Sequence, residues 1–305
     1  MREEKEVRDM TLLGHLITGL SLGSIYAIIA LGYTMVYGIA KMLNFAHGDV
    51  IMVGAYICFF AVTSFSLPPV VGVLLAMVVC TILGVVIEGL AYKPLRQAPS
   101  LAVLITAIGV SYFLQNSAQI LWGADYKSFP NFLTVNGQTG VSLFGGQLNV
   151  TYTAIVTVLA CVVIMLALTF FTSKTKMGKA MRAVSEDKGA AQLMGINVNS
   201  TISMTFAIGS ALAAVAGVLM CSAYPTLSPT TGSLPGIRAF TAAVLGGIGS
   251  IPGALLGGIM LGLVETLTKA YITTSLYDAV VFALLIVVLL VKPSGLLGRY
   301  VPEKV

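Results

Sequence analysis

The chain has 305 residues, 57% hydrophobic and 10% charged, with a mean hydropathy of +0.95. A soluble domain carries about a quarter charged residues, so polar groups cannot cover this surface, and the composition excludes a soluble globular protein in favour of a membrane one. The formal net charge of +5 is explained by basic residues in cytoplasmic loops rather than by nucleic-acid binding.

The N-terminal MREEKEVRDM is mixed in charge and leads into an apolar run with no A-x-A cleavage pattern. It reads as an uncleaved start, not a signal peptide. A spanning helix needs roughly 20 apolar residues. Candidate spans cover residues 11–31, 48–65, 69–92, 101–122, 152–172, 201–224, 253–271 and 277–291. Two pieces, 32–43 and 237–250, are too short or too glycine-rich to span comfortably and read as broken or re-entrant helices. Irregular backbone of that kind is tolerated only against protein or a water-filled cavity. The fold class is therefore an all-α polytopic membrane protein with 8–10 crossings.

Basic residues set the expected orientation. Lys93 and Arg96 follow one span; Lys174, Lys176, Lys179, Arg182 and Lys188 follow another; Lys292, Arg299 and Lys304 end the chain. Placing all three groups in the cytoplasm requires both short pieces to cross. That gives about ten passes, both termini inside and the loop 123–150 outside, with Trp122 at the interface. The elements then run long, short, long, long twice, each set closing on Lys-Pro (Lys93–Pro94 and Lys292–Pro293). This pattern predicts a parallel internal repeat.

The sequence has no H-E-x-x-H, G-x-S-x-G or P-loop motif. No catalytic residues, metal ligands or cofactor site are expected, and the chain is not read as an enzyme. Cys58, Cys80, Cys161 and Cys221 lie in apolar runs and read as packing residues. An ion-coupled carrier would need charges near mid-membrane. Glu88 can reach Lys93 or water, Glu265 and Lys269 are spaced to pair, and Asp278 sits at a helix start. Each reads as structural, and no span carries stacked carboxylates. In NFAHGD, Asn44, His47 and Asp49 are helix caps or a substrate gate. In QNSAQ, Gln115 and Asn116 line a pathway or bridge helices. Gly246, Gly247 and Gly249 belong to a glycine-rich run read as tight packing around a broken helix at the pathway wall.

Residues 173–200 are too polar to span. Met181, Val184, Ala191 and Met194 give a partial apolar stripe that Asp187 interrupts. The segment is either a loop on the membrane surface or a docking surface for a cytoplasmic protein. Within it, GAAQLMG at Gly189–Gly195 resembles the EAA---G signature of ABC-importer permeases, with Gly189 where that signature has Glu. Further blocks, Gly19–Asp49, Ala107–Asn116, Gly178–Asn197 and Ala239–Gly262, resemble in order the branched-chain amino acid permeases of bacterial ABC importers, LivH-type.

The resemblance implies a type II importer permease, a single transmembrane domain over 1–305. It would be an inner-membrane subunit translocating leucine, isoleucine and valine, with an ion-coupled amino-acid carrier as the alternative. Its partners would be a second homologous permease, two cytoplasmic ATP-binding subunits and a periplasmic amino-acid-binding protein. Residues 173–200 would be the coupling loop, and 123–150 the periplasmic loop. Glu186, Asp187, Gly189, Ala190, Ala191, Leu193, Met194 and Gly195 would meet the ATPase.

Overall fold

The computed structural model describes residues 2–134, 138–143 and 148–298. The side chains of residues 2–9 and Leu143 lie outside that description, as do parts of the 123–150 loop and the basic Arg299 and Lys304. The described helices are α1 (Arg2–Ala40), α2 (His47–Thr63), α3 (Pro69–Ile87), α4 (Ser100–Trp122), α5 (Tyr152–Lys174), α6 (Lys176–Glu186), α7 (Lys188–Leu193), α8 (Val198–Ala223), α9 (Ser233–Gly246), α10 (Ile251–Tyr271) and α11 (Tyr277–Val291). Six are long and apolar enough to cross a membrane, and α2 and α11 are shorter apolar helices.

Residues 32–43 are not a separate broken piece. Helix α1 runs unbroken through Gly32 and Gly38 because no proline interrupts it, and both glycines serve packing. A Cβ on Gly32 would meet the His47 ring, and one on Gly38 would lie 3.1 Å from the Cα of Gly249. The helix stops only at Lys41, whose φ of 58° leaves helical space.

The two faces of the molecule are marked by what packs there. One carries the polar segment α6–α7. Helix α1 ends there, where Lys188 Nζ donates to Ala40 O at 2.9 Å, and α3 reaches it through Arg96 and Asn199. The chain after α11 closes onto the end of α9, Leu296 N donating to Leu245 O at 2.9 Å. The opposite face carries β1 (Lys127–Ser128), the hairpin β2 (Gly140–Leu143)–β3 (Leu148–Thr151), and β4 (Thr226–Leu227). Strand β1 pairs antiparallel with β4, Lys127 opposite Leu227. The outer part of α1 is on this face, with Gly14 against Leu148 and the His15 and Tyr271 rings 5.8 Å apart. The described ends of the chain therefore lie on opposite faces. The reading of 11–43 as two crossing pieces is corrected: residues 2–40 form one continuous helix, whose described ends fall on opposite faces.

The repeat is corrected for the same reason. Helices α1 to α4 run long, short, long, long, and α8 to α11 run long, short, long, short, so the expected pattern does not repeat as read. Their directions are opposed: α1 descends toward the polar segment while α8 rises from it. Packing follows that inversion, α1 against α10 as α8 packs against α3, and α2 against α3 as α9 packs against α10. This is an inverted arrangement, with its axis in the membrane plane, not a parallel one.

Helix α8 is central, with 72% of its most apolar window buried, against 22% for α4 and α5. The seam between α1 and α10 is built of small residues at four-residue spacing. Gly19, Gly23 and Ala27 face Gly258 and Gly262, and a Cβ at Gly23 would lie 2.7 Å from Ile259 Cα. In a membrane, where lipid is as apolar as leucine, such close approach supplies the packing energy.

Candidate functional site

The two short helices of the inverted halves start beside each other within the membrane. His47, the first residue of α2, packs at Gly32, eight residues before Ala40 and so about 12 Å from the end of α1 at 1.5 Å per residue. Ser233, the first residue of α9, lies at the same level and is reached by Gln115 of α4 at 3.2 Å. Backbone touches backbone where they meet: a Cβ on Gly48 would lie 2.6 Å from Gly232 O. Two helix N-termini, each a positive dipole end, thus converge at mid-depth. The buried Asp49 carboxylate, in the first turn of α2, offsets them, and it accepts from Gln115 Nε2 at 2.9 Å. Gly48→Val forces these helices apart and costs about 1–3 kcal/mol of overpacking. A lower melting temperature for the purified protein checks this; an unchanged one refutes the close approach.

Of the sequence candidates, Asn44, His47 and Gln115 come together around this junction. Side-chain capping does not occur: the α2 N-cap is Ala46, without a side-chain bond, and Asn44 Oδ1 instead accepts from Tyr92 Oη at 2.9 Å. His47 is buried, its ring 4.6 Å from Tyr33, and its Nε2 has no hydrogen-bond partner. The cavity beside Asn44, Tyr33 and Phe240 is about 10 Å³, too small for more than one water. Asn116 is exposed and its Nδ2 donates to Tyr112 O of its own helix at 2.7 Å; it does not join the junction. Nor do Gly246, Gly247 and Gly249. They turn the chain between α9 and α10 at the polar-segment face, Gly247 (φ +100°) against Gly295 and Gly298.

On the opposite face a cavity of about 420 Å³ opens between α1, the start of α5 and the end of α8. Thr18, Ser21, Asn149, Thr153 and Ser222 line it, with no charged side chain among its lining residues.

The sequence reading missed Arg238, the ion at the heart of α9. It is buried, and it pairs with Asp278 at 3.0 Å and Glu265 at 3.4 Å. Lys269 closes on the same Glu265 carboxylate, and Tyr26 Oη donates to it at 2.8 Å. The signal was available: one arginine inside an apolar stretch demands a partner. Glu88 sits in a π-helical turn (Glu88–Tyr92) that continues α3. It is buried and bonded to Arg96 and to Ser203, the latter at 2.6 Å, rather than to Lys93.

The polar segment forms two helices. Met181 and Val184 are buried beneath α6, and Ala191 is buried beneath α7. The chain turns at Asp187, whose side chain caps α7 by accepting from Ala190 N at 2.9 Å. That turn breaks the expected stripe: Leu193 is 90% and Met194 83% exposed. Glu186, Asp187, Gly189, Ala190 and Gly195 share the exposed surface. Ala191 faces inward, so it leaves the expected docking set. Gly195 has φ +80°, and Ile196 N donates to Ala191 O at 3.0 Å, the six-to-one bond of a Schellman ending. Its place in the motif is thus explained by backbone geometry.

A helical bundle with an inverted repeat, paired half-helices at mid-depth and a protruding polar segment defines a polytopic membrane transport component. The family described as branched-chain amino acid transport system, permease component, matches residues 15–289, and the chain belongs to it. It is 46% identical over 301 residues to the high-affinity branched-chain amino acid transport system permease protein BraD of Pseudomonas aeruginosa, covering 96% of this chain and 98% of that relative. It is 45% identical to LivH of Escherichia coli K12, covering 96% and 97%. The PsaBC complex of Streptococcus pneumoniae aligns over 92% of each chain, at 13% identity and a TM-score of 0.48.

Proposed function

We propose that this protein is a transmembrane subunit of an ATP-driven importer of branched-chain amino acids. Near full-length similarity to BraD and LivH carries the reading. The α6–α7 face is then cytoplasmic, the N-terminal end of α1 extracytoplasmic and the end of α11 cytoplasmic. Leu193 and Met194 are the centre of the surface offered to an ATP-hydrolysing subunit. A second permease completes the membrane unit, and a periplasmic binding protein delivers substrate to the face of the uncharged 420 Å³ cavity. That lining suits a ligand with an apolar side chain and no net charge. Glu88 is committed to Arg96, and Glu265 to Arg238 and Lys269, so neither of these two carboxylates is free to exchange a counter-ion as in an ion-coupled carrier.

The test is reconstitution in liposomes with the companion subunits. Leucine uptake requires ATP and the ATPase, and an imposed proton or sodium gradient alone gives none. Uptake by this chain alone under an ion gradient sinks the proposal.

A further inference from the structure

Helix α7 has two faces. Leu193 and Met194 point out to solvent, while Ala191 is buried and Lys188 is half-buried toward the bundle. Lys188 Nζ reaches across the fold to donate to Ala40 O at 2.9 Å. That carbonyl ends α1, where helix carbonyls lack partners and a cation complements the dipole. The chain leaves α1 through Lys41 in a left-handed conformation (φ 58°) that non-glycine residues seldom adopt. Six residues later α2 begins at the mid-depth junction. Asn44, halfway along, is fastened to Tyr92. A push on α7 therefore has a short covalent and hydrogen-bonded route to the start of α2.

Burial, together with the nearby charges of Arg96 and Lys41, pulls the Lys188 ammonium below its ordinary pKa. Arg96 is itself committed to Glu88 and Asn199. One hydrogen bond and the partial negative charge of a helix end oppose desolvation and two like charges.

We propose that Lys188 is a positioning residue that transmits movement of the docking segment α6–α7 to the α1–α2 corner. The inference rests on the proposed ATP-driven function in one respect: the movement is supplied by the docked ATPase.

In the reconstituted transporter, Lys188→Ala leaves ATPase capture intact and ATP hydrolysis within twofold. It lowers leucine transported per ATP about tenfold, in the range of typical coupling free energies. Lys188→Arg, whose guanidinium also donates to a carbonyl, restores the ratio to within about threefold, the spread of a 0.6 kcal/mol change. An unchanged ratio in the alanine variant, no recovery with arginine, or loss of ATPase capture overturns the proposal. A second measurement needs no ATPase. Spin labels on Gln192→Cys and Leu43→Cys, in the full chain in lipid nanodiscs, give one narrow distance distribution that Lys188→Ala broadens. An unbroadened distribution overturns the contact itself, whereas failure of the ATP-driven reading leaves this result standing.

Discussion

Replacing Leu193 and Met194 together with aspartate lowers capture of the ATP-hydrolysing subunit about a hundredfold or more. Both side chains are almost fully exposed at the end of α7, beyond the membrane-spanning helices. Burying each against a partner contributes roughly 1.5–3 kcal/mol. Losing both removes about 3–6 kcal/mol, and each 1.4 kcal/mol is a factor of ten in affinity. Aspartate adds the cost of a desolvated charge at the centre of the contact, where truncation effects concentrate. The fold does not depend on these atoms, because Met181, Val184 and Ala191 supply the buried side of the segment. Pull-down of the ATPase subunit and a thermal melt are measured on the same preparation. Capture within threefold of wild type, with an unchanged melt, removes Leu193 and Met194 from the interface.

The exposure of those two residues was only half legible in the sequence. Apolar periodicity gave a partial stripe of Met181, Val184, Ala191 and Met194 that Asp187 interrupts, and a single helix would have buried all four. Asp187 instead caps a second helix in a new direction and swings Met194 outward. A cap residue was readable, but the angle it imposes was not. Helix existence was clearer, because composition and span length alone fix it. Direction was not: it follows from counting crossings. One misjudged piece, 32–43, turned an inverted repeat into a parallel one. Glycines at 32 and 38 look like breaks in the sequence, and only the neighbours His47 and Gly249 reveal them as packing positions. The junction of α2 with α9 joins residues nearly two hundred apart, so no local pattern announced that Gln115 would bridge Asp49 and Ser233.

Arg238→Met destabilises the protein by about 3–5 kcal/mol, the usual result of removing one member of a buried ion pair. Glu265 is 1% exposed and, among the described residues, keeps Lys269 and Tyr26. Asp278 suffers less, since its side chain is 46% exposed and can be solvated. The damage falls on α9, because Arg238 ties this half-helix to α1, α10 and α11 through Tyr26, Glu265 and Asp278. Adding Glu265→Met to Arg238→Met recovers much of the loss. An apolar pair of similar volume carries no desolvation penalty, and the half-exposed Lys269 turns to solvent or to Asp278. The two sites are in contact, so their effects are non-additive, with a coupling energy of about 0.5–3 kcal/mol. Melting of the single and double variants in detergent measures that coupling. Additive losses would show that Arg238 and Glu265 are neighbours without mutual support, and the anchoring of α9 would then have to come from its packing against α1, α2 and α10.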